Sequence, residues 1–311
     1  MGYFLALLSA ISWTVGTISF KKSNHSLSPH ILNLYKNLLA FFVLLIILIC
    51  CSFYTDENFW IISKNSFFLI FLSGMIGSGL ADQIYIRSLF KVGANFLSVI
   101  ASSLGIFVLL FAFLLNYLFP LVFPSQNWPP HLYEIIGFLF IIFAIFYSSW
   151  DSSSYKDIPI KMVLFALSAF MFMGLSANLT NSAIHLNQGG IFNILAIILV
   201  RFIPGILFQF GLIFFKNESA KDVFSIFSLD KKTFIFVNLG AIMMSLVAIV
   251  FWIVGMNMEL HNVTLFSLLA QTSNIMIFIC SWLILKEKIN NRKILGIVLS
   301  FIGVVLIVLA K

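Results

Sequence analysis

Apolar residues fall into ten long runs separated by short polar connections. The runs span residues 2–20, 30–51, 66–86, 94–118, 132–150, 159–183, 190–215, 233–256, 262–285 and 293–310. Each is close to the roughly 20 residues that a helix needs to cross the hydrocarbon of a bilayer. They are long and unbroken rather than short and alternating, so helices are predicted and not the strands of a membrane barrel. The longest connections are 52–65, 119–131 and 216–232. Pro120, Pro124, Pro129 and Pro130 forbid regular helix in the second. None is long enough to fold as a separate soluble domain.

Composition sharpens this picture. The 311 residues are 61% hydrophobic and 9% charged, include 37 Phe, and have a mean hydropathy of +1.08. A soluble domain is about 25% charged, so this chain lacks the polar surface to cover itself in water. That excludes a soluble enzyme, a disordered protein and a nucleic-acid-binding domain, and leaves the lipid bilayer as the partner. The first run follows no basic stretch and carries no clean small-residue cleavage site, so it reads as a retained helix. Cys50, Cys51 and Cys280 form no CxxC and no Cys/His cluster, and no metal site, disulfide framework or cofactor is expected.

The chain also repeats itself. Leu8-Ser9-Ala10 recurs as Leu167-Ser168-Ala169, and Lys36 in the second run corresponds to Arg201 in the seventh. Ser98, Ala101 and Ser103 recur as Ser267, Ala270 and Thr272, and Ile135-Ile136-Gly137 as Ile294-Leu295-Gly296. Each match is weak alone; their common order in both halves carries the argument. Two repeats follow, residues 1–150 and 151–311, each of five helices. An odd number of crossings forces opposite insertion, so the repeats are inverted, the usual construction of a secondary transporter. The predicted fold is all-α and integral to the membrane, with ten transmembrane helices in two inverted five-helix repeats around a central cavity. Of the 18 basic residues, 14 lie in odd-numbered connections. The positive-inside rule taken literally places both termini outside the cytoplasm.

Ionisable groups within the runs are the sharpest chemical clues, because a charge at the bilayer centre costs several kcal/mol. Lys36 lies about two turns into its run, and could either snorkel or line a site. Arg201 lies near the middle of its own, either facing a solute or locked in an internal ion pair. Asp82 is the only carboxylate well inside a run. It could couple a proton, balance Lys36 or Arg201, or bind an amine. Ser98 and Ser102 in the fourth run, and Gln271 and Asn274 in the ninth, occupy matching stretches. They either bond helix to helix or orient a solute. Trp13 and Trp252 either line the cavity or anchor packing. Ser73, Gly74, Gly77, Ser78 and Gly79 crowd the third run, as close helix packing or a broken segment beside the site would require. Pro204 is expected to kink the seventh helix. No enzyme motif of the HExxH, GxSxG or phosphate-loop type is present.

Several segments carry a family resemblance. Trp282-Leu-Ile-Leu-Lys-Glu-Lys-Ile, followed by Ile294-Leu-Gly-Ile-Val-Leu-Ser-Phe-Ile-Gly-Val-Val-Leu, is similar to the L-G-E-x-[LI] turn and glycine-containing last helix of EamA-type members of the drug/metabolite transporter superfamily. Lys286 stands where that pattern has Gly, and the first half has a Pro-rich connection in place of the Glu turn. Leu72-Ser-Gly-Met-Ile-Gly-Ser-Gly-Leu-Ala-Asp82, continuing to Arg87-Ser-Leu, and Pro29-His-Ile-Leu-Asn33-Leu-Tyr-Lys36-Asn37 resemble segments of a bacterial subgroup. The resemblance covers essentially the whole chain. It implies a ten-helix transporter of small metabolites, amino acids or drugs, with an exporter as the expected direction. Helices 3, 4, 8 and 9 would gate it, and both termini would be cytoplasmic, against the charge count. It further implies a bacterial inner membrane, a monomer or weak dimer, and protons as the possible coupling ion. Trp13, Lys36, Asp82, Ser98, Ser102, Arg201, Trp252, Gln271 and Asn274 are the expected solute-binding residues, with Asp82 also in the coupling role. The alternative is a membrane-embedded transferase acting on a lipid or lipid-linked substrate, which needs a polar catalytic cluster near one membrane face. A passive channel or a scaffold is a third class.

Overall fold

The computed structural model describes residues 1–23, 27–54, 60–120, 122, 132–149, 159–187, 189–215, 224–258 and 263–309. Pro124, Pro129 and Pro130 lie outside these residues, as do His25, His131 and His261. The long helices are α1 (Gly2–Lys22), α2 (Pro29–Ser52), α3 (Lys64–Val92), α4 (Ala94–Leu118) and α5 (Leu132–Ser149) in the first half. In the second half they are α6 (Ile160–Asn187), α7 (Ile191–Phe215), α8 (Lys231–Met258), α9 (Val263–Leu283) and α10 (Asn291–Leu309). A short 3-10 turn, Ser225–Ser228, precedes α8. No strand occurs among the described residues. Seven helices, α1 to α4 and α6 to α8, are long and apolar enough to cross a membrane, and α5 and α9 contain the shorter apolar stretches Ile135–Ser148 and Leu269–Leu283.

Local chemistry sets the helix starts. Ser28 caps α2 by accepting from Ile31 N, with Pro29 at the first helical position, where its missing N–H costs nothing. Ser63 caps α3 by accepting from Ser66 N, and Asp230 caps α8 by accepting from Thr233 N. The hydrogen bonds from Thr233 hold the Asp230 carboxyl below its usual range.

The burial pattern is inverted relative to a protein in water. Large apolar side chains such as Phe42, Ile46, Leu110, Leu139, Leu207 and Phe210 face outward. Ser9, Ser12, Thr17, Asn33, Asn37, Ser73, Ser78, Ser176 and Thr180 are buried. Lipid gives no hydrophobic reason to hide Phe or Leu. Small and hydrogen-bonding residues therefore line the helix contacts.

The two halves interlock. In the first half α1 packs on α8 and α9, and in the second half α6 packs on the counterparts α3 and α4. Helices α2 and α7 pair with each other, as do α5 and α10. Two helices deviate at matching places. A π-helical segment interrupts α3 at Met75–Ala81 and α8 at Ile242–Val247. Lys231 starts α8 167 positions after Lys64 starts α3, and Ile242 lies the same distance after Met75. Helix α4 is also interrupted, between Ala94–Ala101 and Leu104–Leu118. There Ser102 N donates to Val99 O at 3.2 Å and Ser103 N to Ile100 O at 3.0 Å, the bonds of a tighter turn.

Candidate functional site

Asn33, Lys36 and Asn37 share one face of α2, at the i, i+3, i+4 spacing. The Lys36 side chain is 1% exposed, and its Nζ lies 2.6 Å from Asp82 Oδ2 and 3.1 Å from Asn37 Oδ1. Asp82 begins the α-helical part of α3 just after the π segment. A π segment departs from the i→i+4 ladder and leaves carbonyls that need partners. Here side-chain amides supply them. Ser78 O accepts from Asn33 Nδ2 at 3.1 Å and from Asn37 Nδ2 at 3.0 Å. Gly79 O accepts from Asn33 Nδ2 at 3.1 Å and from Gln209 Nε2 of α7 at 2.7 Å. The two segments that the subgroup resemblance singled out therefore pack face to face.

Arg201 reaches across α3 from α7. Its Nε donates to Ser73 Oγ at 3.3 Å and its Nη2 to Ser176 Oγ of α6 at 3.0 Å. The Ser73 hydroxyl is also 2.9 Å from that of Ser176 and 2.6 Å from that of Thr180. Gly77 leaves the room for the guanidinium to pass: a Cβ there would fall on Ser176 Oγ and 2.6 Å from Arg201 Nη2. Gly74 lets the α7 backbone approach, since its Cβ would collide with the Arg201 carbonyl and lie 2.7 Å from Pro204 Cγ. The helix α7 continues through Pro204 to Phe215. The small residues of α3 thus serve both close packing and a broken helix.

Among the described residues no carboxylate lies within ion-pair distance of Arg201; Asp82 attracts it from further away. Two cations and one carboxylate share this region, and the carboxylate is taken by Lys36.

The other expected site residues lie elsewhere. Asn274 Nδ2 donates to Gln271 Oε1 at 2.7 Å and to Ser102 Oγ at 3.4 Å, and Ser102 donates to Ser300 Oγ at 3.1 Å. This second cluster joins α4, α9 and α10. Ser98 turns back to its own helix, donating to Asn95 O at 2.7 Å. Trp13 packs on Tyr85 with ring centroids 5.6 Å apart, and the Tyr85 hydroxyl is 2.9 Å from Thr17 Oγ1. Trp252 packs against Ala6 and Met256, and Trp13 belongs to a different apolar cluster. The sequence predicts one constellation, and the structure has two polar clusters, one around Lys36, Asp82 and Arg201 and one around Ser102, Gln271 and Asn274. It names none of Asn33, Asn37, Gln209, Ser176 and Thr180 as a solute-binding residue, and reads Ser73 only as part of the crowded third run. The asparagines were legible from their spacing around Lys36; the hydroxyls sit among many buried serines that look alike in sequence.

Some of the cations counted for membrane orientation have tertiary contacts of their own. Lys22 Nζ lies 5.1 Å from the centre of the Phe236 ring, and the Arg87 and Arg292 guanidinium carbons lie 5.7 Å and 6.0 Å from those of Phe165 and Tyr147. Such contacts are a reason for a cation at these places besides insertion.

A model of the EamA-like transporter family matches the sequence twice, over residues 1–150 and 160–309. The chain belongs to the EamA-like transporter family. The double match agrees with the interlocked halves described above. With seven helices able to cross a membrane, this EamA protein is a multi-pass integral membrane protein of a family that moves small solutes. Among curated proteins none matches the chain. A solved crystal structure of a protein superposes with a TM-score of 0.65, covering 98% of this chain and 95% of the other at 11% identity, which shows a shared fold.

Proposed function

We propose that this EamA protein is a secondary transporter that carries a small organic solute by alternating access. All ten helices cross the membrane, and the two five-helix repeats are inverted. The observation that carries the reading is the seating of Arg201. A part-buried guanidinium inside the bundle is held by two hydroxyls and, among the described residues, by no paired carboxylate, where helices of both repeats meet. A cation inside the bundle without a counter-ion is costly even when part-buried, and an anionic group on a solute lowers that cost. The planar fork of Arg suits a carboxylate or a phosphate. Asp82, paired to Lys36, is the group that would exchange a proton or bind an amine. Gln271, Asn274 and Ser102 would orient the rest of the solute from the second cluster. Trp13, Ser98 and Trp252 line or support its path. The expected setting is a bacterial inner membrane, the expected direction is export, and the expected assembly is a monomer or weak dimer.

The test begins with thermal shift on the purified protein, using carboxylates, sugar phosphates, amino acids, nucleosides, polyamines and common drugs. A solute that binds the folded state raises its apparent stability. The solute found is then followed in proteoliposomes. Arg201→Ala is expected to abolish uptake, with Arg201→Lys keeping a fraction of it. Asp82→Asn is expected to remove the response to a pH gradient. Full binding and transport by Arg201→Ala would overturn the anchor role. A pH response retained by Asp82→Asn would overturn coupling.

A further inference from the structure

The corner between α3 and α4 is built from charges that arrive from elsewhere. The chain turns there at Gly93, with φ at +88°, a conformation open to glycine. The last carbonyls of α3, Leu89 O and Phe90 O, accept from Lys21 Nζ of α1 at 3.0 Å and 3.2 Å. The first amides of α4, Ala94 N and Asn95 N, donate to Glu287 Oε1 and Oε2, both at 2.9 Å. Asn95 Nδ2 also donates to Lys288 O at 3.2 Å. A cation at a helix C-terminus and a carboxylate at a helix N-terminus each complement the helix dipole. Glu287 also attracts Lys21 through space. Lys21 belongs to the same repeat as this corner. Glu287 belongs to the other, on the turn between α9 and α10.

That turn is shaped to deliver the carboxylate. Lys286 has φ at 56°, the left-handed conformation that a side chain resists. The family pattern has glycine at this position, and the backbone geometry is the reason. Glu287 N is tied to Ser281 O at 3.1 Å. A Cβ on residue 93 would come within 3.2 Å of Glu287 Oε1, so Gly93 also makes room for the carboxylate.

The held segment is structurally distinct. Ala94–Ala101 is a short helix, buried along its length, bounded by Gly93 on one side and the Ser102–Ser103 interruption on the other. It packs on α9 of the second repeat. We propose that Glu287 is a latch, fastening the Ala94–Ala101 segment of the expected gating helix α4 to the other repeat. With both carboxylate oxygens on the amides of Ala94 and Asn95 the latch is shut. Release of Glu287 frees the segment to swing about its two ends and exposes the faces now packed between α4 and α9. The proposal rests on the alternating-access reading, but its test needs neither a solute nor transport.

The test uses single-cysteine reporters in a background with Cys50, Cys51 and Cys280 replaced by Ser. Val99→Cys lies in the gate segment, and Ala196→Cys lies in α7; both positions are fully buried. Labelling of each by a water-soluble maleimide is compared in the purified protein with and without Glu287→Ala. The latch predicts that labelling at 99 speeds up about tenfold or more, as expected from losing two charge-assisted hydrogen bonds. Labelling at 196 is expected to stay unchanged. Glu287→Gln keeps an acceptor oxygen but loses the charge, and is expected to fall between. No change at 99 would overturn the proposal and leave Glu287 a static helix cap. An equal rise at both positions would also overturn it, since that is general loosening. If Glu287→Ala fails to fold, Glu287→Gln is read against the same two reporters with the same outcomes.

Discussion

Gly77 is the residue on which the seat of Arg201 depends. No other side chain leaves room for the guanidinium to reach from α7 over α3 to Ser176. A methyl group there would sit among Ser176 Oγ and Arg201 Nη2. Overpacking of this kind costs about 1–3 kcal/mol. The easiest relief is for the arginine to leave its hydroxyl partners. Gly77→Ala is therefore expected to weaken solute binding about tenfold or more, read as a reduced ligand-induced thermal shift. Unaltered binding would show that the anchor does not depend on this seat. The Lys36–Asp82 pair behaves differently. Removing one partner leaves a buried charge alone and costs about 3–5 kcal/mol. The unfolding temperature of Asp82→Asn should therefore drop, and its transport must be read at a temperature where it is folded.

At the scale of the element, the two π segments occupy equivalent places but have unequal surroundings. In α3 the freed carbonyls of Ser78 and Gly79 are held by Asn33, Asn37 and Gln209. Each π segment also carries a buried hydroxyl with no partner among the described residues, Ser78 in α3 and Ser245 in α8, so the difference lies in the carbonyls. The positions of α7 that correspond to Asn33 and Asn37, counted at the spacing that relates Lys36 to Arg201, are Ile198 and Phe202. Neither can donate a hydrogen bond. Side-chain amides clamp the first π segment, and among the described residues none clamps the second. Each buried carbonyl left without a donor costs about 1–3 kcal/mol. The double change Asn33→Ala with Asn37→Ala is therefore expected to lower the unfolding temperature and to speed amide exchange over Met75–Ala81. Exchange there at the original rate would mean that the amides do not hold the segment. The apolar runs marked the helices to within about six residues, as for 66–86 against Lys64–Val92. The π segments were not legible, because a change from i→i+4 to i→i+5 bonding has no residue pattern of its own.

At the scale of the whole molecule, each half completes the other. α1 finds its main partners in α8 and α9, and α6 finds its own in α3 and α4. Buried hydroxyls act across the same boundary: Ser9 Oγ donates to Ala248 O at 2.9 Å, and Ser66 Oγ to Ala183 O at 2.7 Å. Either half alone would leave such groups facing lipid. Residues 1–150 and 151–311 produced as separate chains are expected to accumulate and co-purify only when made together. Stable accumulation of either half by itself would show that the repeats fold independently.

The sequence alone determined the solvent, the ten apolar runs, their helical form and the two-fold internal repeat. All of these follow from local hydropathy and from the order of residues, which need no knowledge of what touches what. It also marked Lys36, Asp82 and Arg201, because a charge inside an apolar run is conspicuous by itself. Which cation takes the lone carboxylate was decided by tertiary structure. Lys36 and Arg201 correspond in the order of residues along the two halves, and only the packing of α2 and α3 brings Asp82 to one of them. The same is true of Glu287, which looks like a loop charge until folding carries it to amides 192 and 193 positions away. Hydrogen bonds and ion pairs act over a few ångströms and in particular directions. Their partners are therefore set by how helices cross and not by the pattern along any one of them.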